Sequence, residues 1–121
     1  MLLEEKFLQT FQAGETVFLE GSTGSFMYVV AAGAVEIRRK KEGTERKVAE
    51  LGPGEIFGEL AVVDSEERMA TAIACQDGTQ LVAIDQARFV YLTSQQPAFA
   101  LTVMRVMAER IRTMGQIIDR N

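Results

Sequence analysis

The sequence predicts a mainly β fold, a sandwich or barrel of short strands with helices at the two ends of the chain. Short apolar runs alternate with glycine-bearing turns from residue 11 to residue 84, a spacing typical of small all-β domains. After Ile84 the apolar residues recur every three or four positions, which is typical of helices. The chain of 121 residues has the usual size of one domain, so we expect a single domain over residues 1–121.

The first ten residues predict a short amphipathic helix, because Leu3, Phe7 and Leu8 lie at helical spacing. Residues 11–84 then form the β part, and we expect strands over 16–19, 26–32, 34–38, 47–51, 69–74 and 80–84. The run that starts at Phe26 is nearly all apolar. We therefore place that strand in the centre of a sheet.

Residues 85–121 predict two C-terminal helices. Asp85 is a suitable N-cap for the first, which runs to about Thr93, and Pro97 suits the first turn of the second, which runs to near Asp119. The second helix carries two apolar stripes: Leu101, Met104, Ala108, Ile111, Gly115 and Ile118 on one, and Val103, Met107, Met114 and Ile117 on the other. Two stripes favour a second partner, most simply the same helix of another subunit. One broad face packed on the strands is the alternative.

The residue types that are missing limit the chemistry. The sequence has no histidine and a single cysteine, Cys75, which excludes a Cys–His or Ser–His nucleophile pair and a histidine-ligated metal. We therefore expect a protein that is not an enzyme and that has neither a metal nor a cofactor. Cys75 lies in an apolar run and is expected to be a small core residue.

The charge pattern argues against nucleic acid and membrane partners. The net charge is −4, and the basic run Arg38–Lys41 is flanked by acids and placed at a predicted hairpin turn, so we interpret it as a solvated turn. No apolar run is long enough to span a bilayer, and the acidic N-terminus does not resemble a signal peptide. We expect a cytoplasmic protein.

Residues 52–72 form the segment that resembles neither strand nor turn. Gly58 to Val62 has the composition of one helical turn, whose first amides are suited to bind a phosphate, and Gly58 would allow close approach. Arg68 offers a guanidinium fork for phosphate oxygens, and Glu59 can accept hydrogen bonds from a ribose or diol. Together these groups match a cyclic nucleotide. The alternative is a surface ion pair between Glu59 and Arg68.

Two motifs in this segment, Phe57-Gly58-Glu59-Leu60-Ala61 and Arg68-Met69-Ala70-Thr71-Ala72, closely resemble the phosphate-binding cassette of the cyclic nucleotide-binding domain family. The resemblance extends over nearly the whole chain, from the opening strands at residues 11–21 through the hairpin at 26–35. It implies an antiparallel jelly-roll β-barrel with a short helix inside the cassette. We call residues 52–72 the cassette below.

The resemblance also implies roles for individual residues. Glu59 would bind the ribose 2′-hydroxyl and Arg68 the cyclic phosphate. Backbone amides would complete the phosphate cradle, and they belong to Gly58, Leu60, Ala61, Met69 and Ala70. Met69 departs from the serine or threonine that many relatives carry, which favours cAMP over cGMP as the ligand.

We expect a stand-alone sensor that binds cAMP and signals to an unidentified effector protein through movement of its C-terminal helices. Relatives that regulate transcription carry a helix-turn-helix domain after the long helix, whereas this sequence ends at Asn121. An output domain beyond that residue is the alternative to a separate effector. A second function also stays open, an interaction module of the same fold that binds no nucleotide.

Overall fold

The computed structural model describes residues 7–64 and 67–120, with side chains described as far as Thr113. Its chain divides into two compact units, residues 1–86 and 87–121. The first unit contains eight strands and one short helix. The strands are β1 Leu8–Phe11, β2 Thr16–Phe18, β3 Met27–Ala32, β4 Val35–Lys41, β5 Thr44–Leu51, β6 Ile56–Phe57, β7 Thr71–Ala74 and β8 Thr79–Ile84, and α1 Leu60–Val63 lies between β6 and β7.

The eight strands form two antiparallel four-stranded sheets, in the orders β1-β8-β3-β6 and β2-β7-β4-β5. This confirms the mainly β class and the internal position of β3. Side chains of both sheets meet in one apolar core of Tyr28, Val30, Val35, Phe57, Ala72, Leu81 and Ala83. The apolar runs of β3 and β8 are nearly continuous because successive residues, which point to opposite faces of the sheet, are buried in both strands.

The prediction of a helix over residues 1–10 is wrong for its last three residues. Leu8, Gln9 and Thr10 belong to β1, where Leu8 pairs with Val82 and Phe11 with Thr79 of β8. Phe11 also packs against the core. An apolar pattern this short fits a helix and a strand equally well. Hydrogen bonding to β8 makes the segment a strand. Residues 1–6 of the predicted helix lie outside the described residues.

Two further predictions need correction. The basic run Arg38–Lys41 is not in a turn but ends β4, and the turn that follows is Glu42–Gly43. Arg38 forms an ion pair with Glu36 at 2.5 Å, so neighbouring acids compensate part of this charge. The cassette also contains a strand that sequence reasoning missed, β6, whose Phe57 pairs with Tyr28 and whose Ile56 pairs with Val29.

The second unit contains α2 and α3, which confirms the two predicted C-terminal helices. Helix α2 spans Gln86–Gln95, its first residue belonging to the first unit, and α3 spans Pro97–Arg120. The rings of Phe89 and Phe99 lie 6.0 Å apart and join the two helices. No helix among residues 7–64 and 67–120 is both long enough and apolar enough to cross a membrane.

The two stripes of α3 differ in exposure. Val103 of the second stripe is buried and Met107 is half-buried, whereas Leu101, Met104 and Ile111 of the first stripe are exposed. The four most C-terminal stripe residues lie outside the described side chains: Met114, Gly115, Ile117 and Ile118.

Candidate functional site

The short helix of the cassette starts close to where the sequence predicts it. Helix α1 begins at Leu60 with Glu59 as its N-cap, and Ala61 and Val62 are buried. Gly58 precedes the N-cap with a φ of +72°, a left-handed conformation that glycine adopts without strain. The chain thus turns sharply from β6 into α1, which brings Gly58 and Glu59 to the inner edge of the cassette.

The amide of Ala61 already has an acceptor in this structure. It donates to the Gly58 carbonyl at 3.1 Å, and the Val62 amide donates to the Glu59 carbonyl at 3.2 Å. These bonds close the first turn of α1. A phosphate bound at Ala61 would share this donor with the Gly58 carbonyl.

Glu59 and Arg68 are both buried, with exposed fractions of 0% and 7%. This excludes the surface ion pair that the sequence left as an alternative. Charged side chains are seldom so deeply buried unless hydrogen bonds or a ligand compensate for lost hydration. Two buried charges nine residues apart in the cassette therefore mark this part of the β unit as a candidate binding site.

The guanidinium of Arg68 lies beside Gly58. Its Nη1 donates to the Gly58 carbonyl at 3.3 Å, and its Nη2 donates to the Phe26 carbonyl at 2.8 Å. Its Cζ lies 4.0 Å from the centre of the Phe18 ring, a cation–π contact. The buried Nε has no hydrogen-bond partner among the described residues.

The main chain of Arg68 is fixed by the loop that follows β2. Its N–H donates to the Ser22 carbonyl at 2.8 Å, and its carbonyl accepts from the Gly21 amide at 2.8 Å. Three residues on, the Thr71 hydroxyl accepts from the Glu20 amide at 2.8 Å. This pairing with residues 20–22 directs the Arg68 side chain inward, a placement that no local sequence signal reveals.

An aromatic cluster of Phe18, Tyr28 and Phe57 lies beneath the guanidinium. The rings of Tyr28 and Phe57 stack with their centres 5.3 Å apart, and Phe18 lies 5.9 Å from Phe57. Burial lowers the pKa of Arg68, although so strong a base stays a cation at neutral pH. Burial raises the pKa of Tyr28, and the nearby charge of Arg68 partly opposes that shift. Sequence reasoning missed Phe18 and Tyr28 as neighbours of the site.

The remaining predicted residues lie on the outer side of Arg68. Met69 and Ala70 form a bend that leads into β7, and the Met69 side chain is about half exposed, at 49%. Residues 65 and 66 of the acidic loop lie outside the described residues. The structure thus brings Gly58, Glu59 and Arg68 into one neighbourhood. The assignment of these residues to phosphate and ribose stays a prediction.

Comparison with known proteins connects this geometry to a family. A family model described as the cyclic nucleotide-binding domain matches residues 8–96. The Cyclic AMP receptor protein of Thermus thermophilus is 37% identical over 107 residues, which are 88% of this chain and 49% of that protein. The chain spans about half the length of the first curated relatives it matches.

Solved structures agree with the sequence comparison. The Catabolite Activator Protein of Thermus thermophilus superposes with a TM-score of 0.85 and 34% identity, over 93% of this chain and 53% of that one. The EAL enzyme Bd1971 in its cAMP-bound form gives a TM-score of 0.68 and 28% identity, over 93% of this chain and 30% of that one. Its cGMP-bound form gives a TM-score of 0.69 and 29% identity, and the match covers 90% of this chain and 29% of that one. This chain belongs to the cyclic nucleotide-binding domain family.

Proposed function

We propose that this chain binds cAMP at the cassette, with the phosphate on Arg68 and the ribose 2′-hydroxyl on Glu59. The observation that carries the proposal is the guanidinium of Arg68, a buried cation beside the Gly58 turn whose Nε lacks a protein partner among the described residues. A phosphate is the strongest partner for such a group. The backbone of Gly58, Leu60, Ala61, Met69 and Ala70 would complete the cradle.

The choice of cAMP rests on Met69. The relative Bd1971 has been solved with cAMP and with cGMP, so membership of the family does not select the purine. A serine or threonine hydroxyl at the position after the arginine favours guanine in many relatives. The thioether of Met69 has no hydroxyl to donate. We therefore expect cAMP to bind more tightly than cGMP.

We propose that the signal leaves the site through the C-terminal helices. The side-chain amide of Gln86, the first residue of α2, donates to the Val62 carbonyl in α1 at 3.0 Å. A shift of α1 on ligand binding would therefore displace the start of α2 through this hydrogen bond. The proposed receivers of the signal are an effector protein and a second copy of the chain. The net charge of −4 does not favour nucleic acid.

We propose further that the chain binds its nucleotide without hydrolysing it and acts in the cytoplasm. Hydrolysis of the cyclic phosphate would need an activated water, which enzymes commonly generate with a metal ion or a tuned general base. The full sequence contains no histidine to take either part. We expect cAMP to be recovered intact after long incubation with the pure protein, and conversion to 5′-AMP would contradict this.

Calorimetric titration with cAMP and cGMP tests the binding proposal. We expect micromolar or tighter binding of cAMP, and we expect Arg68→Ala to weaken it about 100-fold, since two charge-assisted hydrogen bonds would be lost. Arg68→Lys keeps the positive charge but lacks the planar guanidinium, so its affinity for cAMP should lie between those of the wild type and Arg68→Ala. Arg39→Ala, at an exposed arginine of β4, is the matched control that should bind normally.

A thermal melt of each variant must accompany the titration, because Arg68 also bonds two carbonyls. If folded Arg68→Ala binds cAMP as tightly as the wild type, the assignment of the phosphate to Arg68 is wrong. If the wild type binds neither nucleotide, the binding function itself is rejected.

One observation favours a second candidate, an interaction module of the same fold that binds no nucleotide. Arg68 already donates to the carbonyls of Phe26 and Gly58 and lies on the ring of Phe18, so it holds the cassette against the β2–β3 loop without any ligand. For such a module, Arg68→Ala would lower the melting temperature, and neither nucleotide would raise that of the wild type.

A further inference from the structure

The guanidinium of Arg68 occupies a slot between two glycines. A Cβ added to Gly24 would lie 2.5 Å from Nη2 and 3.0 Å from Nε, and a Cβ added to Gly58 would lie 2.8 Å from Nη1. Carbon atoms do not approach nitrogen so closely without a shift of one of them. The slot therefore exists only because both positions lack a side chain.

The slot closes the guanidinium to an anion. Nε and Nη2 form the edge that grips two oxygens of a phosphate, and a hydrogen-bonded oxygen would lie about 2.7–3.2 Å from each. A Cβ on Gly24 would lie near that same place, and the Cα of Gly24 is only one C–C bond away from it, so an oxygen bound there would clash with the Gly24 backbone. The other edge is bonded to the carbonyls of Phe26 and Gly58, and Phe18 covers one face.

We propose that this slot is an autoinhibitory latch, which Arg68 must leave before it can bind the phosphate of a cyclic nucleotide. The inference rests on the proposed function and adds a regulatory contact to the same site. The carbonyls of Phe26 and Gly58 compete with the ligand for the guanidinium. An anion is a stronger partner than a neutral carbonyl, so a bound phosphate can win this competition.

The latch has a measurable consequence for affinity. The apparent affinity of a ligand falls in proportion to the fraction of protein in the competent state. If Arg68 is out of the slot in about a tenth of the molecules, opening the latch fully raises the affinity about tenfold. Release of the Phe26 carbonyl would at the same time free the loop between β2 and β3.

The variant Gly24→Ala tests the latch. The φ of Gly24 lies outside the left-handed range, so alanine fits the backbone, and the nearest atoms that its Cβ meets belong to the flexible end of Arg68. The substitution should therefore expel the guanidinium and leave the fold intact. Gly43→Ala is the control, because Gly43 lies in the turn between β4 and β5, outside the cassette, and nothing lies within 4 Å of its missing Cβ.

We expect Gly24→Ala to bind cAMP about tenfold more tightly than the wild type and Gly43→Ala to bind it as tightly as the wild type does. Binding of cAMP by Gly24→Ala, with no detectable binding by the wild type, would also support the latch. If the wild type binds and folded Gly24→Ala binds equally or more weakly, the latch is wrong while the proposed function stands. If neither protein binds cAMP or cGMP, both are rejected.

A second measurement keeps the test independent of calorimetry. The Nε–H resonance of Arg68 should be shifted by the Phe18 ring and exchange slowly in the wild type before cAMP is added, and it should lose both properties in Gly24→Ala. An Nε–H that exchanges rapidly in the wild type would overturn the latch. Should Gly24→Ala not fold, Phe18→Leu removes the ring that covers the guanidinium and should also tighten cAMP binding.

Discussion

At the scale of single residues, the cassette is distinguished by two charged side chains that are buried. Glu59 has no exposed surface, and Arg68 has almost none. The desolvation of Arg68 opposes folding, and its two hydrogen bonds to carbonyls offset only part of this cost, because Nε has no partner among the described residues. An anion that bonds to the guanidinium would recover more of the lost hydration. Natural binding sites often store such uncompensated cost.

The proposed ribose contact predicts a specific pairing between Glu59 and the 2′-hydroxyl. Wild-type protein should bind 2′-deoxy-cAMP about tenfold more weakly than cAMP, since a hydrogen bond to a charged group contributes about 1.5–3 kcal/mol. Glu59→Leu removes the acceptor, so it should weaken binding of cAMP by a similar factor and then bind both nucleotides alike. Titration of the four combinations forms a double-mutant cycle. Discrimination that persists in Glu59→Leu would place the hydroxyl elsewhere.

The raised pKa of Tyr28 predicts a loss of stability in alkali. Burial is the main cause of the shift, so the folded protein holds the phenol proton more tightly than the unfolded chain does. The stabilisation is complete below the unfolded value of 10.0 and is lost as the pH rises through the higher folded value.

As the pH rises above 10.0 towards the higher folded pKa of Tyr28, the melting temperature of the wild type should therefore fall more than that of Tyr28→Phe. Tyr91→Phe, at an exposed tyrosine of α2, should behave like the wild type. Equal alkaline losses in wild type and Tyr28→Phe would show that other groups control stability in this range.

At the scale of secondary-structure elements, the tight connection from β3 to β4 links the two sheets. Gly33 has a φ of +81° at this point, and a Cβ there would lie 2.7 Å from the Cα of Thr79. Thr79 is fully buried, and its hydroxyl bonds the Gln76 carbonyl at 2.7 Å. Neither the main chain nor the buried side chain of Thr79 has room to move away from a Cβ at this position. The connection therefore requires glycine, both for its positive φ and for its missing side chain.

The steric role of Gly33 can be tested against a second glycine of the same conformation. Gly43 also has a φ of +81°, but nothing lies within 4 Å of its missing Cβ. We expect Gly43→Ala to cost about 1 kcal/mol of unfolding free energy, from backbone strain alone. Gly33→Ala should cost about 3 kcal/mol, because the steric contact adds to the strain. Urea denaturation measures both, and equal losses would mean that Thr79 can move away.

At the scale of the whole molecule, the exposed stripe of α3 is the feature that predicts assembly. Leu101, Met104 and Ile111 lie three and seven residues apart, and Ile111 is 69% exposed. Apolar side chains aligned along one helix face are typical of a helix that packs on a partner. The dimer proposed from the sequence would cover this stripe with its own copy.

Sedimentation analysis tests that dimer. The wild type should sediment as a dimer, and Ile111→Lys should shift it to monomer while the melting of the β unit is retained. Thr113→Lys adds the same charge two residues away, outside the stripe, and should leave the dimer intact. A wild type that stays monomeric at high concentration would contradict this assembly.

Much of the fold followed from local pattern. The apolar runs of β3, β4 and β8 are bounded by glycines, and the preference of glycine for turns is local, so the limits of these strands could be read from the sequence. Strand β1 was mistaken for a helix, and β6 was missed. Each is short, and its pairing partner, β8 or β3, is distant in the chain.

Residue type and spacing along the chain were enough to predict the mainly β class and the two C-terminal helices. The resemblance to a family added the cassette and singled out Glu59 and Arg68 within it. The position of Arg68 between Gly24 and Gly58, over Phe18 and with its donors on two carbonyls, is known only from the folded chain. Gly24 and Phe18 are 44 and 50 residues away in the sequence. Contacts over such separations arise from sheet packing, to which local preference contributes little.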